Sequence, residues 1–448
     1  MLRNKVTRRK ALTLGAAASA LPLVHMRTAH AAGQVSIALW DHWVGKAAND
    51  VMLSQIKAFS DKNKVEVKAD FIPSASGQIL MVENAEAQAK AGHDIYARSV
   101  WEVHAHVDDL EPVDDVVGRL IAKYGPTNAA VEYLCKVKGH WLAVPGSSGS
   151  QTKGPEGRIS ILRDAAGLDV VKMFPPSGNH APGLDAWTWD ACLKAAEACF
   201  QVGKPCAWGL GTTSDSTDWT GAFFAAYGAE LVDAKGNITV RSDAVRHVLE
   251  LSQRLVKVLP KDVVSYDDAS NNRALIAGQS ALIFNPPSPW AVALKDAPAI
   301  AADTWHFPSP VGPKGRFIPY LPYYWGVWNF AKNKTAAKEL CEWLMQRENV
   351  EARENATIGF DLPPFQSMLD FKIWETAEPP KGTLWNYPNH PWFKQTANIA
   401  AMPAPPEIAV QIYNQGTMPT MLAKLLSGQS IPQVLDWAEN ELESFKRG

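Results

Sequence analysis

The chain has few cysteines, and none of them stands at the spacing of a zinc site. Five occur among 448 residues, and no two form the C-x-x-C pair typical of structural zinc binding. Because an odd number cannot pair completely and the density is low, a fold built on disulfides is excluded. We expect buried thiols, with a Cys199–Cys206 disulfide as the alternative in an oxidising compartment.

An excess of charge of either sign is also lacking. The 44 basic and 46 acidic residues give a net charge of −2 with histidine neutral. Without a basic stripe, nucleic acid is not an expected partner. Beyond the N-terminal segment, no continuous apolar run is long enough to span a bilayer. These absences favour a soluble globular protein.

Signatures of catalysis and cofactor binding are absent from the sequence. It has no G-x-S-x-G elbow, no H-E-x-x-H helix, no phosphate loop and no dinucleotide fingerprint, so neither a cofactor nor a metal is expected. Sugar hydrolysis would need two carboxylates. The acid pairs that could supply them are Asp108-Asp109, Asp114-Asp115 and Asp267-Asp268. Adjacent acids in loops more often form caps and solvated turns, so a secreted carbohydrate-active hydrolase or lyase is the alternative hypothesis.

The chain is long and rich in tryptophan. At 448 residues it exceeds one ordinary core, so two lobes are expected. Its 17 tryptophans are flat amphipathic side chains that pack in cores or stack on sugar rings.

The N-terminus has the features of an export signal. Thr7-Arg8-Arg9-Lys10 precedes a modest apolar stretch, and Ala29-His30-Ala31 forms an A-x-A cleavage site. Paired arginines before a weakly hydrophobic segment indicate the twin-arginine route. Ala11 stands where phenylalanine is typical, so general secretion stays open. We expect residues 1–31 to be a signal peptide and the mature protein to begin near Ala32.

Strand and helix patterns alternate from there. Val35, Ile37 and Leu39 predict a strand, residues 51–59 a helix, and Val65 to Phe71 a second strand. A helical stretch and a short apolar segment at Ile95 follow. This βαβαβ order predicts a mainly parallel sheet with right-handed crossovers.

In such a sheet, ligands bind beyond the carboxyl ends of the strands. Indole faces stack on a pyranose ring and carboxylates accept from its hydroxyls; the alternative is that the tryptophans fill core. Arg98 would suit an anionic ligand, with a surface salt bridge as the alternative. The residues expected in the site are Trp40, Asp41 and Trp43 after the first strand, Gln78 after the second, and Ser99 and Trp101 after the third.

Residues 138–195 carry a recognisable order of motifs. An apolar run ends at Pro145 before the turn-rich segment 146–150, where a strand is expected to stop. Arg163-Asp164 with Gly167-Leu168-Asp169 follows, then a Pro-rich turn and a helix start at Thr188-Trp189-Asp190. Thr188, Ser242 and Thr335 are expected to cap helices.

Further motifs follow in the second half. Residues 275–284 read Leu-Ile-Ala-Gly-Gln-Ser-Ala-Leu-Ile-Phe and lead to a Pro-boxed Trp290. Residues 308–315 form a P-x-P-x-G segment, and Tyr323-Tyr324-Trp325 is the densest aromatic patch of the chain. In this order the sequence resembles the extracellular solute-binding proteins, family 1, of maltose- and oligosaccharide-type ABC importers. The resemblance spans nearly the whole mature chain and is weakest at 355–406.

The resemblance implies an α/β, two-lobed periplasmic binding protein fold of type II. The implied segments are 32–150 in lobe 1, 151–304 in lobe 2, 305–352 in lobe 1 and 353–448 in lobe 2 with the C-terminal helices, with crossings near Gly149, Trp305 and Asn355. It adds Trp290 as a ligand-binding candidate, since the corresponding Trp stacks on sugar in several members of the family. The remaining candidates are Tyr323, Tyr324 and Trp325 of the aromatic patch, and Asp215 and Trp219.

The function implied is transport rather than catalysis. A periplasmic, monomeric receptor would capture a small-molecule solute, a carbohydrate above all, between closing lobes and deliver it to an inner-membrane ABC permease. Stacking and hydrogen bonds can supply an affinity of about micromolar strength, roughly −8 kcal/mol.

Overall fold

The computed structural model describes residues 33–74, 77–176, 183–388 and 395–447. The predicted signal peptide at 1–31 lies outside these ranges. Within them, no helix combines the length and the apolar character needed to cross a membrane.

The largest sheet among the described residues has seven strands and forms the core of the first lobe. Its strands are β1 Gln34–Trp40, β2 Glu66–Ile72, β3 Ile95–Ser99, β6 Val144–Thr152, β10 Val311–Gly312, β11 Gly315–Val327 and β12 Gln395–Asn398. They are arranged in the order β10–β11–β3–β1–β2, and β6 and β12 also pair with β11.

The predicted βαβαβ unit is confirmed. Strand β1 runs parallel to both β2 and β3, with Gln34 opposite Glu66 and Ile37 opposite Ile95. Strand β1 is buried along nearly its whole length, because sheet neighbours and helices cover it. The sheet is mixed rather than mainly parallel, since β11 runs antiparallel to β3, β6 and β10.

The second lobe contains a smaller, antiparallel sheet. Strand β7 (Pro155–Arg158) lies between β8 (Leu282–Phe284) and β9 (Thr304–His306). A separate hairpin joins β4 (Lys136–Val137) and β5 (His140–Trp141).

Helices cover both sheets. In chain order the α-helices are Lys46–Asn63, Gln78–Ala89, Glu102–Ala105, Asp114–Tyr124, Ala129–Cys135, Ile159–Ala166, Val170–Met173, Trp189–Gln201, Ser214–Tyr227, Asp243–Leu255, Ser270–Ile276, Ser288–Asp296, Pro298–Ala301, Lys334–Leu344, Arg347–Ala356, Ile373–Thr376, Pro406–Asn414, Thr417–Leu426 and Ile431–Phe445. Short 3₁₀ turns lie at Val107–Asp109, Val263–Ser265 and Gln366–Met368.

Two of the three predicted helix caps are confirmed. The Thr188 hydroxyl accepts from the Ala191 amide at 3.1 Å, and Ser242 accepts from Val245 at 3.4 Å. Thr335 is not a cap, because the helix begins earlier and Asn333 accepts from Ala336 at 3.4 Å. Asparagine is as good an N-cap as serine, so the amide two residues upstream takes this role.

The Gly- and Ser-rich segment after Pro145 is not the turn that was expected. It continues as strand β6, which pairs with β11 and is almost entirely buried. Small side chains are needed here because the neighbouring aromatic rings lie close. A Cβ at Gly149, whose φ is +89°, would lie 2.8 Å from Tyr323 and 3.0 Å from Trp40.

All five cysteines are buried and free, so the expected thiols are present and the Cys199–Cys206 disulfide is not. Burial raises the pKa of each thiol above its ordinary value, which keeps it in the unreactive protonated form.

Candidate ligand-binding site

A cavity of about 460 Å³ lies between the two lobes. This volume is in the range of small-molecule sites. The first lobe contributes Ser74, Gly77, Ile79, Leu80, Ser99 and Glu102, strand β11 contributes Leu321 and Tyr323, and the second lobe contributes 211–214, 264–268, Tyr413 and Asn414.

A larger depression of about 540 Å³ lies elsewhere and is lined by Phe200, Leu259 and Leu426 among others. Its residues lie around the ends of second-lobe helices. Lobe closure would therefore not enclose a ligand there, so the cavity between the lobes is the candidate site.

The first-lobe wall is built where β3 ends. Ser99 is the last residue of the strand, and Val100 adopts a φ of +42°, which is rare for a β-branched residue. This sharp change of direction starts a short helix and turns the Glu102 carboxylate back onto Ser99. The Ser99 amide donates to it, and the Ser99 hydroxyl lies at 3.2 Å. Burial raises the pKa of Glu102 to about 7, against the opposing effects of the Ser99 donors and Arg98.

The second-lobe wall is built at the start of the helix Ser214–Tyr227. Asp268 accepts from the Asp215 amide at 3.1 Å and from the Ser214 hydroxyl at 3.3 Å. Burial, followed by the neighbouring charge of Asp215, raises the pKa of Asp268 to about 6. This carboxylate therefore holds the loop 264–268 against the helix and also faces the cavity.

Lys153 connects the strand that crosses between the lobes to this second wall. It follows β6 and is fully buried, with its ammonium 2.7 Å from Asp215 and 2.8 Å from Asp218. Burial alone would lower its pKa, but the Asp215, Asp218 and Asp268 carboxylates outweigh burial and raise it. Lys153 is therefore a permanent cation that fixes the helix start relative to the crossing strand.

Two tyrosines lie between the walls. Burial, and then the nearby Glu102 and Asp268 carboxylates, raises the pKa of the Tyr323 hydroxyl above its usual range. Burial, and then the charges of Asp218, Glu102 and Asp268, likewise raises the pKa of the Tyr413 hydroxyl. Both tyrosines line the cavity together with Glu102 and Asp268, so acidic groups of both lobes meet there.

Among the predicted site residues, the structure places Ser99 and Tyr323 on the cavity and Asp215 directly behind it in the Lys153 ion pair. Gln78 is exposed at the start of its helix, and Asp41 is exposed and accepts from Asn49 at 2.7 Å. Tyr324 is buried in the core, 1% exposed.

No tryptophan lines this cavity among the described residues. Five predicted ligand stackers, Trp40, Trp101, Trp219, Trp290 and Trp325, are at most 4% exposed, and Trp43 is half-buried against the core. Three indoles donate to backbone carbonyls: Trp101 to Ala400 at 3.0 Å, Trp219 to Gly209 at 2.9 Å and Trp290 to Pro379 at 2.8 Å. The rings fill core and brace loops, which was the alternative interpretation.

Residue patterns could have identified two groups that were missed. Ser99-Val-Trp-Glu102 has the S-x-x-E spacing of a capping box, which brings a carboxylate back to the strand end. Asp268 belongs to an acid pair that was interpreted as a solvated turn. Tyr266 and Tyr413 lie on loops and helix ends far apart in sequence, and no local pattern brings them together.

Comparison with known proteins decides the family. The chain is 30% identical over 334 residues to the probable ABC transporter-binding protein of Deinococcus radiodurans, covering 71% of each chain. Residues 166–351 match the family described as bacterial extracellular solute-binding protein. The chain belongs to this family of extracellular solute-binding proteins. Family membership confirms the predicted binding, non-enzymatic role and indicates an exported protein.

Solved structures confirm the two-lobed fold predicted for this extracellular solute-binding protein. Maltose-bound T. maritima MalE3 matches with a TM-score of 0.71 at 18% identity, covering 92% of this chain and 99% of that one. The GacH receptor of Streptomyces glaucescens, described unliganded and with acarbose, gives 0.70 at 18%, covering 93% and 98%. A sugar transporter from Arthrobacter chlorophenolicus with bound laminaribiose gives 0.71 at 16%, covering 92% and 99%.

Proposed function

We propose that this protein is the receptor of an ABC importer for a polyhydroxylated solute, a sugar or close relative. The observation that carries the proposal is the cavity between the lobes, where carboxylates, hydroxyls and tyrosine rings converge from both sides. Carboxylates accept from sugar hydroxyls, and tyrosine faces pack against sugar rings. The three solved structures with sugar or acarbose ligands support this ligand class.

The ligand would be held by both lobes at once. Ser99 and Glu102 would bind from the first lobe, Ser214 and Asp268 from the second, and Tyr323 from the strand between them. Such a ligand stabilises the closed arrangement, because only that arrangement offers all contacts together. An inner-membrane permease would then recognise the closed monomer.

The remaining expectations form part of the same proposal. Residues 1–31 would direct export to the periplasm, by the twin-arginine route or by general secretion. The sequence predicts lobe 1 at 32–150 and 305–352 and lobe 2 in the remainder of the mature chain, and of these bounds we revise only the third crossing. Contacts with the first lobe favour placing the third crossing beyond Asp370: Phe365 forms a bridge to Thr127, and Arg347 pairs with Asp370 at 2.5 Å.

A thermal-shift screen tests the proposal. The mature protein is heated with neutral sugars, polyols, acidic sugars and phosphate esters, and each ligand is recovered afterwards. At a hundred times its dissociation constant a ligand stabilises the fold by about 2.7 kcal/mol. The expected result is that a sugar or polyol raises the melting temperature and is recovered intact. Lobe closure should also decrease the protein's radius of gyration when that ligand binds, which X-ray scattering would measure. A response confined to phosphate esters or acidic sugars would contradict the proposal.

A further inference from the structure

Each wall of the cavity carries a carboxylate whose charge is offset only in part, by Arg98 near Glu102 and by Lys153 near Asp268. Glu102 accepts from Ser99, and Asp268 accepts from Ser214 and the Asp215 amide. Neither carboxylate forms a salt bridge with any residue that the structure describes. Both line the cavity, so their charge is directed at whatever the cavity contains.

The cations near the cavity are already paired. Arg273 lies 2.8 Å from Asp267. Lys153 forms ion pairs with Asp215 and Asp218, so only part of its charge acts on Asp268. Arg98, one residue before Ser99, is 1% exposed, pairs with Glu83 and lies 4.0 Å over the Trp328 ring. It therefore does not reach the cavity to meet an anion.

Lobe closure increases the electrostatic repulsion between the two walls. It brings the Glu102 wall towards the Asp268 wall and removes water, which strengthens the repulsion between like charges. A neutral sugar can donate hydrogen bonds to both carboxylates but adds no positive charge to offset theirs. An anionic solute would add to the repulsion.

We propose that the bound solute carries a protonated amine as well as hydroxyl groups, with the ammonium held between Glu102 and Asp268. Amino sugars and amino polyols have this chemistry. This inference rests on the proposed function and adds the charge of the ligand to it. The rings of Tyr266, Tyr323 and Tyr413 also line the cavity, and their π faces favour a cation. Burial is the main cause of the raised pKa values of Glu102 and Asp268, and the charges of Arg98 and Lys153 oppose it only in part.

Two matched triads of ligands test the proposal by calorimetry on the mature protein. One is glucosamine, glucose and N-acetylglucosamine; the other is chitobiose, cellobiose and N,N′-diacetylchitobiose. Within a triad the ring skeleton is constant, and only the substituent at C2 of each ring changes between amine, hydroxyl and acetamide. We expect the amine to bind at least ten-fold tighter than both partners in at least one triad, and this preference to shrink as salt rises from about 20 to 500 mM.

Substitutions of the two carboxylates test whether they are responsible for the preference for the amine. Glu102→Gln and Asp268→Asn should each reduce the preference for the amine about ten-fold or more, while binding of the neutral partner changes less. Glu351→Gln and Asp296→Asn, at exposed positions away from the cavity, are matched controls and should leave the preference intact. The salt series on the unmodified protein needs no variant, so poor folding of a variant does not prevent the test.

The outcomes separate the two proposals. Neutral members binding as tightly as the amine, or an amine preference that salt does not change, would overturn the inference and leave the sugar receptor standing. Absence of binding by every member of both triads, together with hits only among acidic or phosphorylated compounds, would overturn both.

Discussion

The two walls of the cavity are held in place by different means. The first-lobe wall is the end of a strand in the seven-stranded sheet, with Ser99 and Glu102 positioned by the change of direction at Val100. The second-lobe wall consists of a helix start and a loop, tied by Asp268 to each other and by Lys153 to the crossing strand. A sheet end is fixed by many backbone hydrogen bonds, whereas the second wall depends on a few side-chain contacts, those of Asp268 and of the Lys153 cation. The second wall should therefore be the easier one to displace by a single substitution.

Lys153→Met should have the largest effect. It leaves the fully buried Asp218 and the partly buried Asp215 without their cation, and breaking a buried ion pair in this way typically costs about 3–5 kcal/mol. Urea unfolding would show the loss, and ligand affinity should fall as the helix start shifts. The double variant Lys153→Met/Asp218→Asn should recover part of the stability, because one uncompensated charge is removed. A cost below about 1 kcal/mol for Lys153→Met would show that the second wall does not depend on it.

Gly149→Ala should come next, because it acts on the crossing strand itself. The substitution forces a Cβ to within 2.8 Å of Tyr323 and 3.0 Å of Trp40, and overpacking of this kind costs about 1–3 kcal/mol. Gly139 has the same φ of +89° but open space around its Cβ position. Gly139→Ala is therefore a matched control that carries the backbone strain alone. Equal losses in the two variants, measured by chemical unfolding, would contradict the steric argument.

These glycines show what the sequence could and could not predict. The βαβαβ unit was recovered because Val35, Ile37 and Leu39 and the following helix repeat with clear local periods. Segment 146–150 was misjudged because Gly and Ser indicate turns locally, while in the fold they are small residues required beneath Tyr323 and Trp40. That requirement comes from a strand more than 170 residues away, which no local pattern contains.

The site shows the same limit. The rule for strand ends predicted Ser99, and the aromatic patch predicted Tyr323, both of which line the cavity. The sequence overestimates how many tryptophans contact the ligand, because stacking on a sugar and packing in a core need the same flat apolar ring. Burial distinguishes the two roles, and burial is a property of the assembled lobes rather than of the residue.

Glu102→Gln should have a smaller and opposite effect on the unliganded protein. The pKa of Glu102 is about 7 in the folded state and 4.5 ordinarily. Between these two pH values the folded state therefore keeps a proton that the unfolded state has lost. Stability from this group is therefore present at low pH and is lost as pH rises through about 7. We expect the variant to be more stable than the parent by about 1 kcal/mol at pH 8, with little gain at pH 5.

Thermal unfolding across this pH range measures the difference, and Glu351→Gln is the control at an exposed site. The Asp268→Asn variant should show the same sign over a lower window, because its folded pKa is about 6 against an ordinary 3.8. A parent protein that grows more stable relative to Glu102→Gln as pH rises from 5 to 8 would contradict the burial of this carboxyl at the first wall.

Trp43→Ala should have the smallest effect on binding. It distinguishes aromatic rings that pack in the core from rings that contact the ligand. Trp43 is half-buried against the core and does not line the cavity, whereas Tyr323 lines it between both walls. We therefore expect Trp43→Ala to change ligand affinity by less than about two-fold and to reduce stability by about 1 kcal/mol. Tyr323→Phe should weaken binding by about 1 kcal/mol, because one hydroxyl that contacts the ligand is lost. Calorimetry with the tightest ligand of the screen measures both. If Trp43→Ala weakened binding more than Tyr323→Phe, the first lobe would bind through its outer loop rather than through the strand end, because the indole would then be the surface that the ligand meets.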